Sequence, residues 1–514
     1  MLKLRGPRPR PETTPAPTAD VCIVVEGCYP FVAGGVSSWI DWLIRTQPDL
    51  TFHVVALSAT NDARPLRYQL PDNVVGFATL ALDGGSSLDN GARPQRPAAL
   101  ADQLAYDLVK LVDGGGLDTF ARIGERMHAP RARLSRAELL DSHLSMAIVE
   151  RMYERLTPQA SFLQFFWAWR SLFGGLFAVL DFQLPPASVY HTISTGYAGV
   201  LAARAAAELG RPVVLTEHGI YTNERRIEIL MADWISDTVD KGVGISDARL
   251  DIRDFWIRAF EAYARVCYEA SVAVTTLYSD NQRLQLASGA APERLRVIAN
   301  GIDVSRFVSL PIAADTARPT IALIGRVVPI KDVKTFIRAA HHVRATVPDL
   351  RALVMGPTEE DLGYFAECQA LVAELGLGAC VEFTGAVRIV DHLPTIHVVV
   401  LTSLSEAQPL VLLEAGAAGI PCVATDVGAC REILEGGRDE TDTAGRGGIV
   451  TELVAPEQTG AAVASLLADA AERRRQGESL RRRVCKHYNS DLSRDRYATL
   501  YRDVAPLLSL RGAA

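Results

Sequence analysis

Short β-branched runs alternate with helix-length amphipathic segments along most of this chain, and that rhythm constrains its fold more than any other feature. VCIVVEG (21–27), FHVVALS (52–58), SVYHTIS (188–194), PVVLTEH (212–218), VAVTTL (272–277) and LRVIANGI (295–302) read as buried parallel strands. Helical stretches such as SSWIDWLIRT and GYAGVLAARAAAELG separate them, the latter ending on Gly210 as a C-terminal cap. A second series follows the linker-like DVSRFVSLPIAADTARP: TIALIGR (320–326), ALVMGP (352–357), VEFTGA (381–386), VVVLTS (398–403) and CVATDVG (422–428). Strand–helix alternation in both halves predicts two doubly wound, Rossmann-like α/β domains, and 514 residues exceed what one core supports.

The first domain is expected over 20–310 and the second over 311–485. Residues 60–160 depart from the rhythm, with a Gly/Ser/Pro-rich stretch (84–97) and helical material, and are expected to form an insertion in the first domain. Residues 1–19 carry five prolines and no apolar core segment, which predicts a disordered tail rather than a signal peptide. GGRDETDTAGRGG (436–448) is expected to be a polar surface loop, and Arg473–Arg475 with Arg481–Arg483 to lie on a solvated helix face. From Ser161 to Leu184 the chain is aromatic and long enough to span a bilayer. Gln164, Arg170 and Asp181 interrupt it, so a buried helix is expected and no membrane span.

A net charge of −7 excludes a general nucleic-acid binder, since phosphate affinity needs a basic excess. The eight cysteines show no metal-ligand spacing and read as reduced thiols of a cytoplasmic protein.

Open α/β sheets bind ligands at the carboxyl ends of their strands, and two such domains facing each other make a cleft. At those ends stand Arg326 and Lys331 in LIGRVVPIKD, and Glu406 and Glu414 in SEAQPLVLLEAG. Two cations with two carboxylates suit a nucleotide diphosphate bearing a sugar: the cations neutralise phosphate and stabilise the leaving group, and the carboxylates hold hydroxyls. Glu414 lies inside an apolar helix, where a carboxylate is either exposed or held by donors, and a ribose diol supplies two. Pro409 and Leu410 open that helix, whose positive end would face the phosphates. Gly34 and Gly35, between the first strand and first helix, suit either an anion approach or a tight turn. His218 ends a strand, and its type and position fit sugar contact and structural packing equally. No zinc, P-loop or nucleophile motif emerges, so neither metal nor other cofactor is expected.

These residues resemble the retaining family 4 glycosyltransferases of GT-B architecture. NGID (300–303), GRVVPIKD, FTGAV, the paired glutamates and PCVATDVGACREIL carry the likeness in the C-terminal half. EGCYPFVAGGVSSWI, HTISTGYAG and TEHGIYTNERRIEI are similar to the cytoplasmic glycosyltransferases of bacterial Pel exopolysaccharide synthesis. The resemblance runs from Val21 to about Tyr488. It implies that Arg326 and Lys331 bind the donor diphosphate, Glu414 the ribose and Glu406 the transferred sugar. It also places the Gly34–Gly35 loop near the phosphates, His218 beside the sugar, and Val387 and Arg388 near the base. A C-terminal helix over 486–514 would cross back onto the first domain. Many relatives have a Phe-Gly pair where this chain has Gln408-Pro409-Leu410, which leaves the donor sugar open. Tyr221–Arg226 has no counterpart in the general pattern and either lines the acceptor side or packs the insertion.

The expectation is a hexosyltransferase using UDP-glucose or UDP-N-acetylgalactosamine to extend a Pel-type polysaccharide acceptor. It would be cytoplasmic, reaching the inner membrane through a membrane-embedded synthase and export complex. The alternatives are a nucleotide-sugar epimerase of the same architecture and a non-catalytic nucleotide-sugar-binding subunit.

Overall fold

The computed structural model describes residues 18–62, 64–83, 96–129, 133–232, 251–437 and 444–505. The expected tail therefore lies outside the described residues up to residue 17, and Ala19 already opens a strand. Most of the 84–97 stretch and residues 438–443 of the polar loop also lie outside them. The chain forms two compact units.

The first unit comprises 1–276, 282–296 and 498–514. Its strands are β1 (Ala19–Glu26), β2 (Phe52–Ser58), β3 (Val74–Ala81), β4 (Ala187–Thr192), β5 (Val213–Glu217), β6 (Ser271–Thr276) and β7 (Leu295–Val297). They lie in the order β3-β2-β1-β4-β5-β6-β7. Pairing is parallel from β3 through β6. The central strands are largely apolar and buried because helices cover both faces of a parallel sheet, and in β1 only Glu26 escapes full burial. The chain leaves β1 for β2 on one side and returns to β4 on the other, so the switch point of this sheet lies between β1 and β4.

Part of the expected 60–160 insertion is thus sheet: β3 extends β2 in register from His53–Gly76 to Ser58–Ala81. Half-buried and exposed residues alternate along Val74–Leu80, the pattern of an edge strand with one wetter face, so no buried apolar run announces it. The remainder is helical, at Ala98–Val112, Leu117–Met127, Arg136–Leu140 and His143–Leu156. Ser135 and Glu138 form a reciprocal capping box, and Ser142 caps the next helix.

Helix Phe162–Asp181 is the one described helix long and apolar enough to cross a membrane, and most of it is buried in this unit. Phe165, Trp169, Phe173 and Phe177 are fully enclosed, each contributing roughly 1.5–3 kcal/mol by burial. Arg170 donates to the Leu140 carbonyl (2.7 Å) and pairs with Asp141 (2.8 Å), which satisfies the polar interruption read in the sequence.

The second unit comprises 277–281 and 297–497. Its strands are β8 (Thr320–Ile324), β9 (Arg351–Met355), β10 (Val381–Gly385), β11 (Val398–Leu401), β12 (Cys422–Thr425) and β13 (Gly448–Thr451). They form one parallel sheet ordered β10-β9-β8-β11-β12-β13. Renumbered from β8 this is 3-2-1-4-5-6, the dinucleotide-fold order, with its switch point between β8 and β11.

The basic helix Ala470–His487 is only in part the solvated face expected, since Arg474, Arg475 and Arg482 are exposed. Arg473 and Arg483 are buried. Arg473 reaches the Leu466 carbonyl and Asp315, while Arg483 donates to the carbonyls of Leu434 and Gly445. Carbonyls at helix ends lack intrahelical donors, and a guanidinium supplies several in a fixed fork. The helix stops before Tyr488, Ile302 bridges Tyr488 and Ser490 by backbone hydrogen bonds, and Ser490–Val504 forms the last described helix.

Candidate active site

In the second unit the loops leaving β8 and β11 are stitched together at the switch point. Leu404 N–H donates to the Ile330 carbonyl (2.8 Å), and the Thr402 hydroxyl donates to the carbonyls of Asp332 (2.9 Å) and Lys331 (3.1 Å). Lys331 ends a short 3₁₀ turn, and Asp332 follows with φ of 43°, left-handed for a non-glycine residue. That conformation lets the Asp332 carboxylate cap helix Val333–Arg344 at Thr335 N–H. The result holds the Lys331 side chain over the β11 loop.

There Lys331 Nζ is hydrogen-bonded to Glu406 Oε1, which also accepts from Ser403 Oγ at 2.6 Å. The Ser403 carbonyl is in turn fixed by Thr425 Oγ1 at 2.7 Å. Gly428, at φ 53°, closes the back of the loop: a Cβ there would stand 2.2 Å from the Glu406 carbonyl oxygen. Lysine, glutamate and serine are thus brought together from sequence positions 331, 406 and 403. Arg326 is not part of that cluster; half-exposed, it pairs with Glu360 at 2.5 Å. Both cations predicted for a phosphate ligand are therefore paired with carboxylates.

Helix Leu410–Ala417 begins with Pro409 at its N-cap and no side-chain cap, so its first amides are available. Leu410 is exposed. Glu414 is partly buried one turn in, and its carboxylate makes no hydrogen bond among the described residues. Burial raises its pKa, and the nearby charge of Arg306 opposes that shift. An unpartnered carboxylate in an apolar helix is the environment a diol would complete.

Gln408, part of the stretch expected to touch the sugar, turns inward instead. Its side chain accepts from Asn300 N–H (2.8 Å) and donates to the Asn300 carbonyl (3.1 Å). Val387 packs against the core cluster under this site, and Arg388 is exposed and lies 3.6 Å from Asp391.

In the first unit Gly34 is the N-cap of helix Gly35–Arg45, with no side-chain cap and open space where either glycine's Cβ would be. His218 follows β5 with its ring edge-on to Trp39 at 4.6 Å, and its buried Nε2 has no hydrogen-bond partner among the described residues. Burial lowers its pKa to about 4, so the imidazole is neutral.

Further polar groups gather at the same strand ends, and of these only Tyr221–Arg226 was singled out in the sequence. Glu26, last in β1, accepts from Tyr221 Oη (3.1 Å) and from Ala198 N–H (3.3 Å) at a helix N-terminus. Gly196 makes room for them: a Cβ there would meet the Tyr221 ring at 2.6 Å and Glu26 Oε2 at 2.8 Å. Arg225 lies over the Tyr221 ring at 5.0 Å. Tyr221–Arg226 therefore packs against the β1 and β4 ends. Ser194 Oγ, Thr195 Oγ1 and Glu217 Oε1 are buried without a partner among the described residues. All of these stood inside the motifs EGCYP, HTISTGYAG and TEHGIYTNERR; their position at strand ends was the available signal.

Two parallel-sheet, Rossmann-like domains in one chain are the GT-B class of fold. The chain belongs to the family described as a domain of unknown function, DUF3492, which matches residues 19–293, while residues 318–469 match the family described as glycosyl transferases group 1. The D-inositol 3-phosphate glycosyltransferase 2 of Catenulispora acidiphila is 32% identical over 174 residues, 30% of this chain and 40% of that protein. The α-maltose-1-phosphate synthase of Mycolicibacterium smegmatis is 26% identical over 341 residues, 61% of this chain and 78% of that protein. The chain spans about two fifths of the length of several such relatives. Among solved structures, Anabaena Alr3699/HepE in complex with UDP aligns with a TM-score of 0.57 at 14% identity, covering 94% of this chain and all of that one. At that identity the likeness is one of fold.

Proposed function

We propose that this chain is a retaining glycosyltransferase of the PelF type, within family 4, that moves a hexose from UDP-glucose or UDP-N-acetylgalactosamine onto a growing Pel-type exopolysaccharide. The Lys331–Glu406–Ser403 cluster at the β8/β11 switch point carries the reading. It sets a cation and a sugar-hydroxyl acceptor side by side where a nucleotide-binding sheet receives its ligand. The group 1 glycosyl transferase match over the same unit supports it, and so do solved structures of the same fold bound to UDP and to UDP-glucose.

In this reading Lys331 and Arg326 exchange their carboxylate partners for the diphosphate and stabilise the charge that grows as the sugar–phosphate bond breaks. Glu414 accepts from the ribose hydroxyls, and Glu406, freed from Lys331, accepts from the hexose. Val387 and Arg388 flank the base, Pro409 and Leu410 present the helix N-terminus, and the Gly34–Gly35 amides and His218 serve the phosphates and the sugar. The anomeric carbon–phosphate bond breaks and a bond to the acceptor oxygen forms on the same face. The acceptor proton passes to the leaving phosphate oxygen, giving UDP and one lengthened glycan. No metal or other cofactor takes part in this scheme. The enzyme would act in the cytoplasm and hand its product to a membrane-embedded synthase and export complex.

The test is UDP release from each nucleotide sugar in the presence of a saccharide acceptor, with the product anomer read by NMR and the assay repeated in chelator. Turnover of one donor with retained configuration is expected. Absence of both UDP binding and UDP release overturns the reading, an inverted product overturns retention, and loss of activity in chelator overturns the metal-free scheme.

A further inference from the structure

Glu217 is the last residue of β5, wholly buried, and immediately precedes His218. Both side-chain hydrogen bonds to its carboxyl reach the same oxygen: Tyr268 Oη donates to Oε2 at 2.8 Å and Gln285 Nε2 at 2.9 Å. Oε1 is sealed from solvent and has no partner, and Glu217 makes no ion pair among the described residues. The groups that face it come from four elements. Helix Ile252–Ala270 offers the Tyr268 phenol and the Cys267 thiol, and helix Asp280–Ala287 offers the Gln285 amide. Helix Tyr221–Met231 offers the Glu224 carboxylate and the Tyr221 N–H, and β6 sets Thr276 opposite in register. Two side-chain donors on one oxygen, a backbone N–H and a second carboxylate leave Glu217 facing no cation, which a buried charge needs unless its donors are complete. A neutral carboxylic acid fits the environment.

We propose that Glu217 is a positioning residue that, as a neutral acid, ties the end of β5 to the Tyr268 and Gln285 side chains and so holds the adjoining His218 in the shape the reaction uses. The activity arm of this inference rests on the glycosyl-transfer reading above; the stability arm does not. The carboxyl ties the end of β5 to Tyr268 and Gln285, while the adjoining His218 ring lies on Trp39. Loss of the proton places charge on an oxygen with no side-chain donor and loosens that strand end. Burial pushes this carboxyl up from its ordinary 4.5 to about 7, with the Gln285 and Tyr268 hydrogen bonds acting the other way.

The test compares the full chain with Glu217→Gln, which mimics the neutral acid, and Glu217→Leu, which removes it. Between pH of about 4.5 and 7 the folded protein holds a proton that the unfolded chain has released, so wild-type stability falls as pH rises through that window. The Tm advantage of Glu217→Gln over wild type therefore grows across it and then levels; a pH-independent difference overturns the proposal. With UDP-sugar as substrate, wild-type kcat falls above about pH 7, approaching tenfold per unit, while Glu217→Gln keeps kcat within about threefold and loses that limb. Glu217→Leu lowers kcat more than tenfold with the donor KM held. A limb that persists in Glu217→Gln overturns the proposal, as does a Leu variant with wild-type kcat. If no nucleotide sugar is turned over by wild type, the activity reading fails and the Tm comparison alone decides the inference.

Discussion

At the scale of single residues, the two glutamates separate by environment. Glu406 is held by Lys331 and Ser403, whereas Glu414 has no hydrogen-bond partner among the described residues and a raised pKa. Glu406→Ala is expected to lower kcat by about 10²–10³ through a mispositioned Lys331 and a lost sugar contact, with Tm nearly unchanged. UDP release and a thermal melt check this, and retention of most activity would remove the assigned role. Glu414→Ala should leave the fold intact, because it relieves a buried carboxyl. It should weaken UDP binding by roughly 1.5–3 kcal/mol, the worth of hydrogen bonds to a charged group, read by calorimetric titration. The sequence placed both carboxylates and both cations at strand ends, because that position follows from local pattern. It could not show that Lys331 pairs with Glu406 while Arg326 pairs with Glu360, since those contacts join residues 75 and 34 positions apart.

At the scale of elements, strands buried on both faces announced themselves as apolar runs, and the edge strand β3 did not. β13 (GIVT) is four residues long, too short for a period to register. The arginine-rich helix Ala470–His487 looked solvated because composition does not reveal which guanidinium meets a carbonyl end. Gln408 belongs here as well: it ties the loop before helix Leu410–Ala417 to the Asn300 backbone. Gln408→Ala leaves a backbone N–H and C=O without partners. It should cost about 1–3 kcal/mol in urea unfolding, with donor preference unchanged. A variant of wild-type stability but altered sugar preference would return Gln408 to the sugar contacts.

At the scale of the whole molecule, the chain's last described turn belongs to the first unit, where Tyr501 Oη hydrogen-bonds His191 Nδ1 at 2.7 Å. His191 Nε2 contacts Thr216, which contacts Thr275, so a polar line crosses β4, β5 and β6. Burial holds His191 at a pKa of about 3 and His218 at about 4, against an ordinary 6.5. Both are neutral in the fold and protonated in the unfolded chain below 6.5. Their stabilising effect is complete above that pH and is lost as pH falls towards 4. A His218→Asn variant should therefore lose less Tm than wild type between pH 6.5 and 4. Parallel curves would show that His218 titrates normally.

The sequence by itself determined the two α/β sheets, the strand ends that carry Arg326, Lys331, Glu406 and Glu414, and the helical character of Phe162–Asp181. Those depend on periodicity and residue type, which are local properties. Tertiary structure alone decided which cation meets which carboxylate, that Gln408 turns inward, and that Glu26, Glu217 and Tyr221 gather around the β1, β4 and β5 ends. Such outcomes depend on which loops the parallel register brings side by side, and on whether a buried polar atom finds a partner there. Neither is encoded in the spacing of residues along one element.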